Sequence, residues 1–254
     1  MAKKPVDPTV SMAGSFQTTA QLLSATVAKR GGNLTAAIAL LAKPIHAAKL
    51  DAIADILASV REPVQSEVGI VEEWAAFYEK HFPKEFAAAG NAEALYAVKI
   101  PPVRDGFTRL IVVLKGLTMN AVYAACEKQF PCWRYASNLD ASIPTSDRSP
   151  TTTYAVWVRG QVEADEEFAN KSANDLAAEH HTGIMLLERM LLELKVFDAG
   201  GGHLDLRNVT LCTGSRDADG DVPCARWDGG RFRVGWTSPR YRDPSLRSRE
   251  VVSG

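Results

Sequence analysis

The chain concentrates arginine and aromatic side chains near its carboxyl terminus, and these are residue types that bind nucleic acids. The candidate set is Arg226, Arg231, Arg233, Trp236, Arg240 and Arg242. A guanidinium group bonds phosphate oxygens in a planar, two-pronged geometry, and an exposed indole ring can stack on a base. Between residues 226 and 249 only Asp228 and Asp243 oppose this charge. The pattern predicts a surface that binds nucleic acid or another polyanion.

An acidic cluster in the same half of the chain gives these arginines a second interpretation. Residues 163–167 are Glu-Ala-Asp-Glu-Glu. Arginines on a strand often cover a sheet face and pair with such carboxylates. The sequence therefore leaves two readings open, a polyanion site or a set of solvated intramolecular ion pairs.

A different chemistry is suggested by the carboxylates of Asp217, Asp219 and Asp221, which alternate along one loop. Calcium loops use this spacing because a turning backbone brings such oxygens onto one hard cation. The loop departs from that pattern, since Val222 takes the sixth position, where glycine allows a sharp turn, and Asp228 takes the twelfth. A metal-dependent hydrolase or nuclease is the alternative function, and a solvated hairpin turn is the structural alternative.

The spacing of the cysteines does not indicate a zinc site. The chain contains Cys126, Cys132, Cys212 and Cys224, without the close Cys-x-x-Cys spacing of zinc sites. We predict that Cys126 is a buried core residue bonded to neither metal nor sulfur, because it shares a helix face with Val122 and Phe130. Cys212 and Cys224 could face each other on neighbouring strands, and the sequence does not decide whether they pair.

Composition and charge exclude several classes of protein. The chain of 254 residues is 46% hydrophobic and 23% charged, as in globular proteins, and its formal net charge is −1. Any contact with nucleic acid must therefore be local. Apolar stretches fall far short of the ~20 residues of a membrane span, and no signal-peptide pattern is present, so we expect a cytoplasmic protein with no membrane contact. No phosphate-binding or dinucleotide fingerprint occurs, and we predict no cofactor.

The elements that must position these residues follow from the hydrophobic pattern. After a flexible segment at 1–16, apolar side chains recur at spacings of three and four over 17–92, which predicts a helical region. Residues 95–254 contain several strand-like segments separated by turn residues. We predict an α+β fold, with a helical amino-terminal region followed by a mainly antiparallel sheet with packed helices. The helical region could also dock a protein partner.

Local signals assign particular elements. Residues 95–100 and 107–114 are predicted to form a β-hairpin, because turn residues separate two strand-like segments. Thr118 and Thr182 are predicted to cap helices, the second running from Gly183 to about Phe197 and buried against a sheet. The segment Asp228-Gly229-Gly230 is predicted to join two strands as a tight turn.

Several sequence runs resemble a known family. They are TYAVWVRGQVEADEE from Thr153, LLERMLLELK from Leu186, HLDLRNVTLCTGSR from His203, DGDVP from Asp219 and LRSREVVS from Leu246. Over residues 107–253 the chain resembles a family of bacterial proteins of unknown function that is common in uncultivated lineages. The resemblance implies a bacterial origin, and it assigns no chemistry to any residue.

Overall fold

Helices open the part of the chain that this computed structural model describes, residues 67–254. They are α1 (Glu67–His81), α2 (Pro83–Ala89) and α3 (Ala92–Tyr96). Trp74, Phe77 and Tyr78 of α1 are buried and belong to the same hydrophobic core as the sheets. The predicted segment 1–16 and most of the predicted helical region lie outside the described residues.

The remaining elements are strands and helices, of which the last six are all strands, and this confirms the α+β class. In chain order they are β1 (Arg109–Val113), α4 (Met119–Glu127), β2 (Cys132–Arg134), α5 (Leu139–Ser142), β3 (Thr145–Ser146), β4 (Tyr154–Val158), a 3-10 helix (Glu166–Phe168), α6 (Ala173–Ala178), α7 (Leu186–Asp198), β5 (Val209–Leu211), β6 (Ser215–Arg216), β7 (Val222–Asp228), β8 (Arg231–Thr237), β9 (Leu246–Ser248) and β10 (Val252–Ser253). Among the described residues, no helix combines the length and the apolar character that crossing a bilayer requires.

A sheet of three strands has the order β1-β4-β10, and all its pairings are antiparallel. The hairpin predicted between 95–100 and 107–114 is wrong, because Leu95 lies in α3 and is buried there, while β1 pairs with β4. Pro101 and Pro102 follow the first segment. Proline has no N–H to donate to a ladder, so strand pairing cannot continue through these two positions.

A sheet of five strands has the order β2-β8-β7-β5-β9. Its centre is the antiparallel pair β7–β8, joined at Asp228-Gly229-Gly230 as predicted. Gly229 and Gly230 both have positive φ, 59° and 75°, which is the backbone that a tight hairpin turn requires. The outer pairs β2–β8 and β5–β9 are parallel, so this sheet is mixed.

Helix α7 is buried nearly all round and packs against α4, β1 and β7. It begins at Leu186. The predicted cap, Thr182, does not cap this helix. Instead the backbone N–H of Met185 donates to the Glu188 carboxylate at 2.8 Å. The hydrophobic pattern thus predicts the helix, whereas a carboxylate in its first turn determines where it begins.

A buried arginine network, defined by Arg189, Glu193, Asp205, Thr210 and Arg249, links α7 to the second sheet. All five side chains are at most 1% exposed. Arg189 donates to Glu193 at 2.8 Å and to Asp205 at 3.0 Å, and Arg249 donates to the other Asp205 oxygen at 2.6 Å. Arg249 also donates to the Thr210 hydroxyl at 3.1 Å, so each charge in this network has a partner of opposite sign or a polar neighbour.

Candidate nucleic-acid interface

The central hairpin of the second sheet turns its arginines away from the core. Phe232 and Val234 of β8 are fully buried. Because successive side chains of a strand point to opposite faces, Arg231, Arg233 and Gly235 lie on the other side of the sheet. We call this side the outer face.

The register of the hairpin places two residues of β7 on the same outer face. Arg226 lies opposite Arg233, and Cys224 lies opposite Gly235. The two arginine side chains are about 40% exposed, at 41% and 40% respectively. They therefore form an accessible cationic pair at the middle of the sheet.

Strand β2 adds Trp133, which is not among the candidates that the sequence pattern indicates. The parallel register sets Trp133 beside Arg233, and the guanidinium carbon lies 5.2 Å from the centre of the indole ring. This distance is that of a cation–π contact. Trp133 is 42% exposed, so part of its ring area is free for another planar group.

These residues surround a shallow depression with a volume of about 360 Å³. Its lining includes Trp133, Cys224, Arg226, Arg233, Gly235 and Trp236. Trp236 is 53% exposed, which excludes a role for its side chain as a core residue. In the alternation of β8, Trp236 shares the side of Phe232 and Val234, so it borders the depression at the strand end, and Trp133 is the indole of the outer face.

Asp228 is the carboxylate that would compete with an anionic ligand for the arginines of this surface. It pairs with Arg226 at 3.0 Å and with Arg233 at 2.8 Å. The hydrogen bond from Arg233 contributes most to a lowered pKa of the Asp228 carboxyl, so the group is charged at neutral pH. The guanidinium of Arg231 makes no ion pair with any described residue, and positive charge therefore remains in excess.

The predicted residues beyond β8 are placed differently. Arg242 pairs with Asp175 of α6, and the Ser172 hydroxyl together with Arg242 lowers the pKa of that carboxyl to about 2. Arg240 lies in the loop after β8, where its guanidinium has no ion-pair partner among the residues described. The structure brings together Arg226, Arg233 and Trp236, but it assigns Arg242 to a contact with α6.

The acidic cluster at residues 163–167 has partners elsewhere. Its carboxylates pair with Arg159 and Arg247 and accept hydrogen bonds from the backbone of Arg207 and Asn208. The partners of this cluster are therefore not the arginines of the outer face.

Of the three loop carboxylates considered for a metal, that of Asp217 shapes its own turn. One oxygen of Asp217 accepts the backbone N–H of Asp219 at 3.0 Å and of Asp221 at 2.9 Å. Within residues 67–254, no group of three or more His, Cys, Asp or Glu side chains is arranged to hold a metal ion. This geometry matches the solvated turn rather than a convergent carboxylate site.

All four cysteines are free, and Cys126 is fully buried as predicted. Cys212 lies in the main core, whereas Cys224 lies on the outer face against a smaller apolar cluster. Their side chains point to opposite sides of the sheet and do not pair. Burial raises the pKa of the Cys224 thiol to about 11, so it is uncharged at neutral pH and does not repel an anion.

Three of the six residues selected from the sequence, Arg226, Arg231 and Arg233, lie together on the outer face. Arg226, Arg233 and the Trp133 indole line its depression, and Arg231 adds an unpaired charge at the hairpin end. Such a surface can hold a phosphate and a planar ring side by side. Comparisons with protein-family models, with curated proteins and with solved structures find no match to this chain.

Proposed function

We propose that the outer face binds single-stranded nucleic acid and that the protein acts as a binding protein rather than an enzyme. The observation that carries this proposal is the contact between Trp133 and Arg233, both about 40% exposed, on an open sheet face. An indole can stack on an unpaired base, and an arginine beside it can bond the adjoining phosphate.

The charge balance of the face supports the same function. Arg226 and Arg233 share the single carboxylate of Asp228, and Arg231 has no ion-pair partner among the described residues. Exposed ion pairs contribute little stability, so a phosphate can replace Asp228 as the partner of an arginine at small cost. Free thiols suit a reducing compartment, and we place this activity in the cytoplasm as part of the proposal.

The test is a salt titration of binding to a single-stranded oligonucleotide. Each phosphate contact releases condensed counterions, and the logarithmic salt slope is about −0.7 per contact on single strands. The double variant Arg231→Gln/Arg233→Gln removes two charges from the face, so we expect the magnitude of the slope to fall by about 1.4.

A matched control removes two positive charges far from the outer face. Lys84 of α2 and Lys115 in the turn after β1 are exposed. We expect Lys84→Gln/Lys115→Gln to leave the slope unchanged. Absence of binding near ~50 mM salt, or an equal change of slope in the control, would reject the proposed function.

A further inference from the structure

Two small residues, Gly235 of β8 and Cys224 of β7, lie opposite each other in the register of the hairpin. They form the floor of the depression on the outer face. A glycine in the middle of a strand weakens it, so its presence needs a reason. Positive φ is not the reason, because Gly235 is absent from the residues with that conformation. Packing is not the reason either, since a Cβ added at Gly235 would meet only the Cys224 Sγ, at an ordinary 3.6 Å.

What the missing side chain leaves is open space between the Trp133 indole and the guanidinium groups. Trp133, Arg226 and Arg233 lie on the same face as Gly235 and line the same depression. A planar ring can approach the backbone closely only where no side chain projects from it. The surrounding charge is positive, which complements the phosphates on either side of a base.

We propose that this floor seats one base of a bound single strand, with its ring against the backbone of Gly235 and the Trp133 indole beside it. Arg226 and Arg233 then contact the phosphates that flank the seated base. This inference rests on the proposed function, and it narrows the ligand from polyanions in general to strands that carry bases.

The test compares two ligands of equal charge on the full chain. One is an oligothymidylate of about twelve nucleotides, and the other is an abasic strand of the same length. We expect the wild-type protein to bind the base-bearing strand about 5- to 150-fold more tightly, the affinity that one stacked base contributes. Binding is measured by fluorescence anisotropy of the labelled strands.

A larger side chain at position 235 should remove the preference for the base-bearing strand and leave binding of the abasic strand unchanged. We expect Gly235→Val to bind both strands with the affinity that the wild type has for the abasic one, and Gly235→Ala to show an intermediate preference. Thr237→Val, on the same strand and face, adds no bulk and should keep the wild-type preference. Thermal melts establish that each variant is folded, and Gly235→Ala alone decides the matter should the valine variant fail to fold.

The outcomes separate this inference from the proposed function. Equal binding of both strands by the wild type, or an undiminished preference in the folded glycine variants, would overturn the base seat and leave polyanion binding intact. Failure of the wild type to bind either strand would reject the proposed function, and the base seat with it.

Discussion

The arginines of the buried network and those of the outer face are matched to carboxylates in opposite ways. Inside the fold, Arg189 and Arg249 converge on Asp205, and each guanidinium also has further polar partners. On the outer face, Arg226 and Arg233 share Asp228 alone, and Arg231 pairs with no described carboxylate. An unpaired charge is costly in the interior and inexpensive in water, so only the surface can hold an excess of positive charge for a ligand.

The largest expected effect comes from removing the shared carboxylate inside. Asp205→Asn leaves two buried guanidinium groups without their common partner. We expect the free energy of unfolding, measured in urea, to fall by about 3 to 5 kcal/mol. The matched change on the surface, Asp228→Asn, should leave the urea midpoint almost unchanged. Equal effects of the two substitutions would remove the distinction between the two sets of arginines.

Acid should weaken the buried network in a defined direction. Burial disfavours the charge of Asp205, but Arg189 and Arg249 outweigh it and lower the pKa of this carboxyl. A carboxyl with a lowered folded pKa stabilises the protein above its unfolded pKa, about 3.9, and this contribution is lost as pH falls further. The difference in unfolding free energy between wild type and Asp205→Asn should therefore shrink between about pH 5 and pH 2.

The Trp133 indole of the outer face should affect binding and not folding. Trp133→Ala should cost ~1 to 3 kcal/mol of binding free energy without changing the salt slope, because stacking releases no counterions. Trp157, which is 3% exposed, is the control, and Trp157→Ala should lower stability by about 3 to 5 kcal/mol. A large loss of stability in Trp133→Ala would contradict its assignment to the surface.

In the binding assay, Asp228→Asn is expected to increase the affinity for the oligonucleotide. This effect is smaller than the losses described above. This substitution frees Arg226 and Arg233 and removes a charge that repels phosphate, so affinity should rise by roughly twofold to fivefold. Because the pKa of Asp228 is lowered, the gain should be constant between pH 6 and pH 8. The exposed residue Asp105 provides the control, and a similar gain in Asp105→Asn would mean that net charge alone is responsible.

The smallest effect concerns the Asp217 turn. Millimolar Ca²⁺ should leave the melting temperature unchanged, since the Asp217 carboxylate already binds two backbone N–H groups. Asp217→Ala should lower stability by about 1 kcal/mol through the loss of these bonds. A rise in melting temperature with Ca²⁺ that Asp217→Ala abolishes would instead favour the metal-dependent alternative.

Features specified by neighbouring residues could be predicted from the sequence. The Thr118 hydroxyl caps α4 by accepting the N–H of Ala121 at 3.1 Å, and the glycines at 229 and 230 form the hairpin turn. Both signals lie within a few residues of the element that they define. The choice of strand partners is not local, which is why the hairpin before β1 was predicted wrongly.

The candidate site shows the same limit. Arg226, Arg233 and Trp236 could be selected because they crowd into two adjoining strands. Trp133 could not, because only the parallel pairing of β2 with β8 brings it to Arg233. Alternation within a strand indicates that Trp133 and Cys132 point to opposite faces, but it does not indicate which sheet the strand joins.

The parallel pairing of β2 with β8 also determines when the outer face can form during synthesis of the chain. Strand β2 leaves the ribosome long before β8, and its neighbour in the sheet is β8. Contacts between residues so far apart in the chain form slowly, because bringing them together costs loop-closure entropy before the contact stabilises anything. A nascent chain that stops before Arg231 therefore carries Trp133 on a strand without its neighbour, and the ligand surface appears only when the last part of the domain has been synthesised.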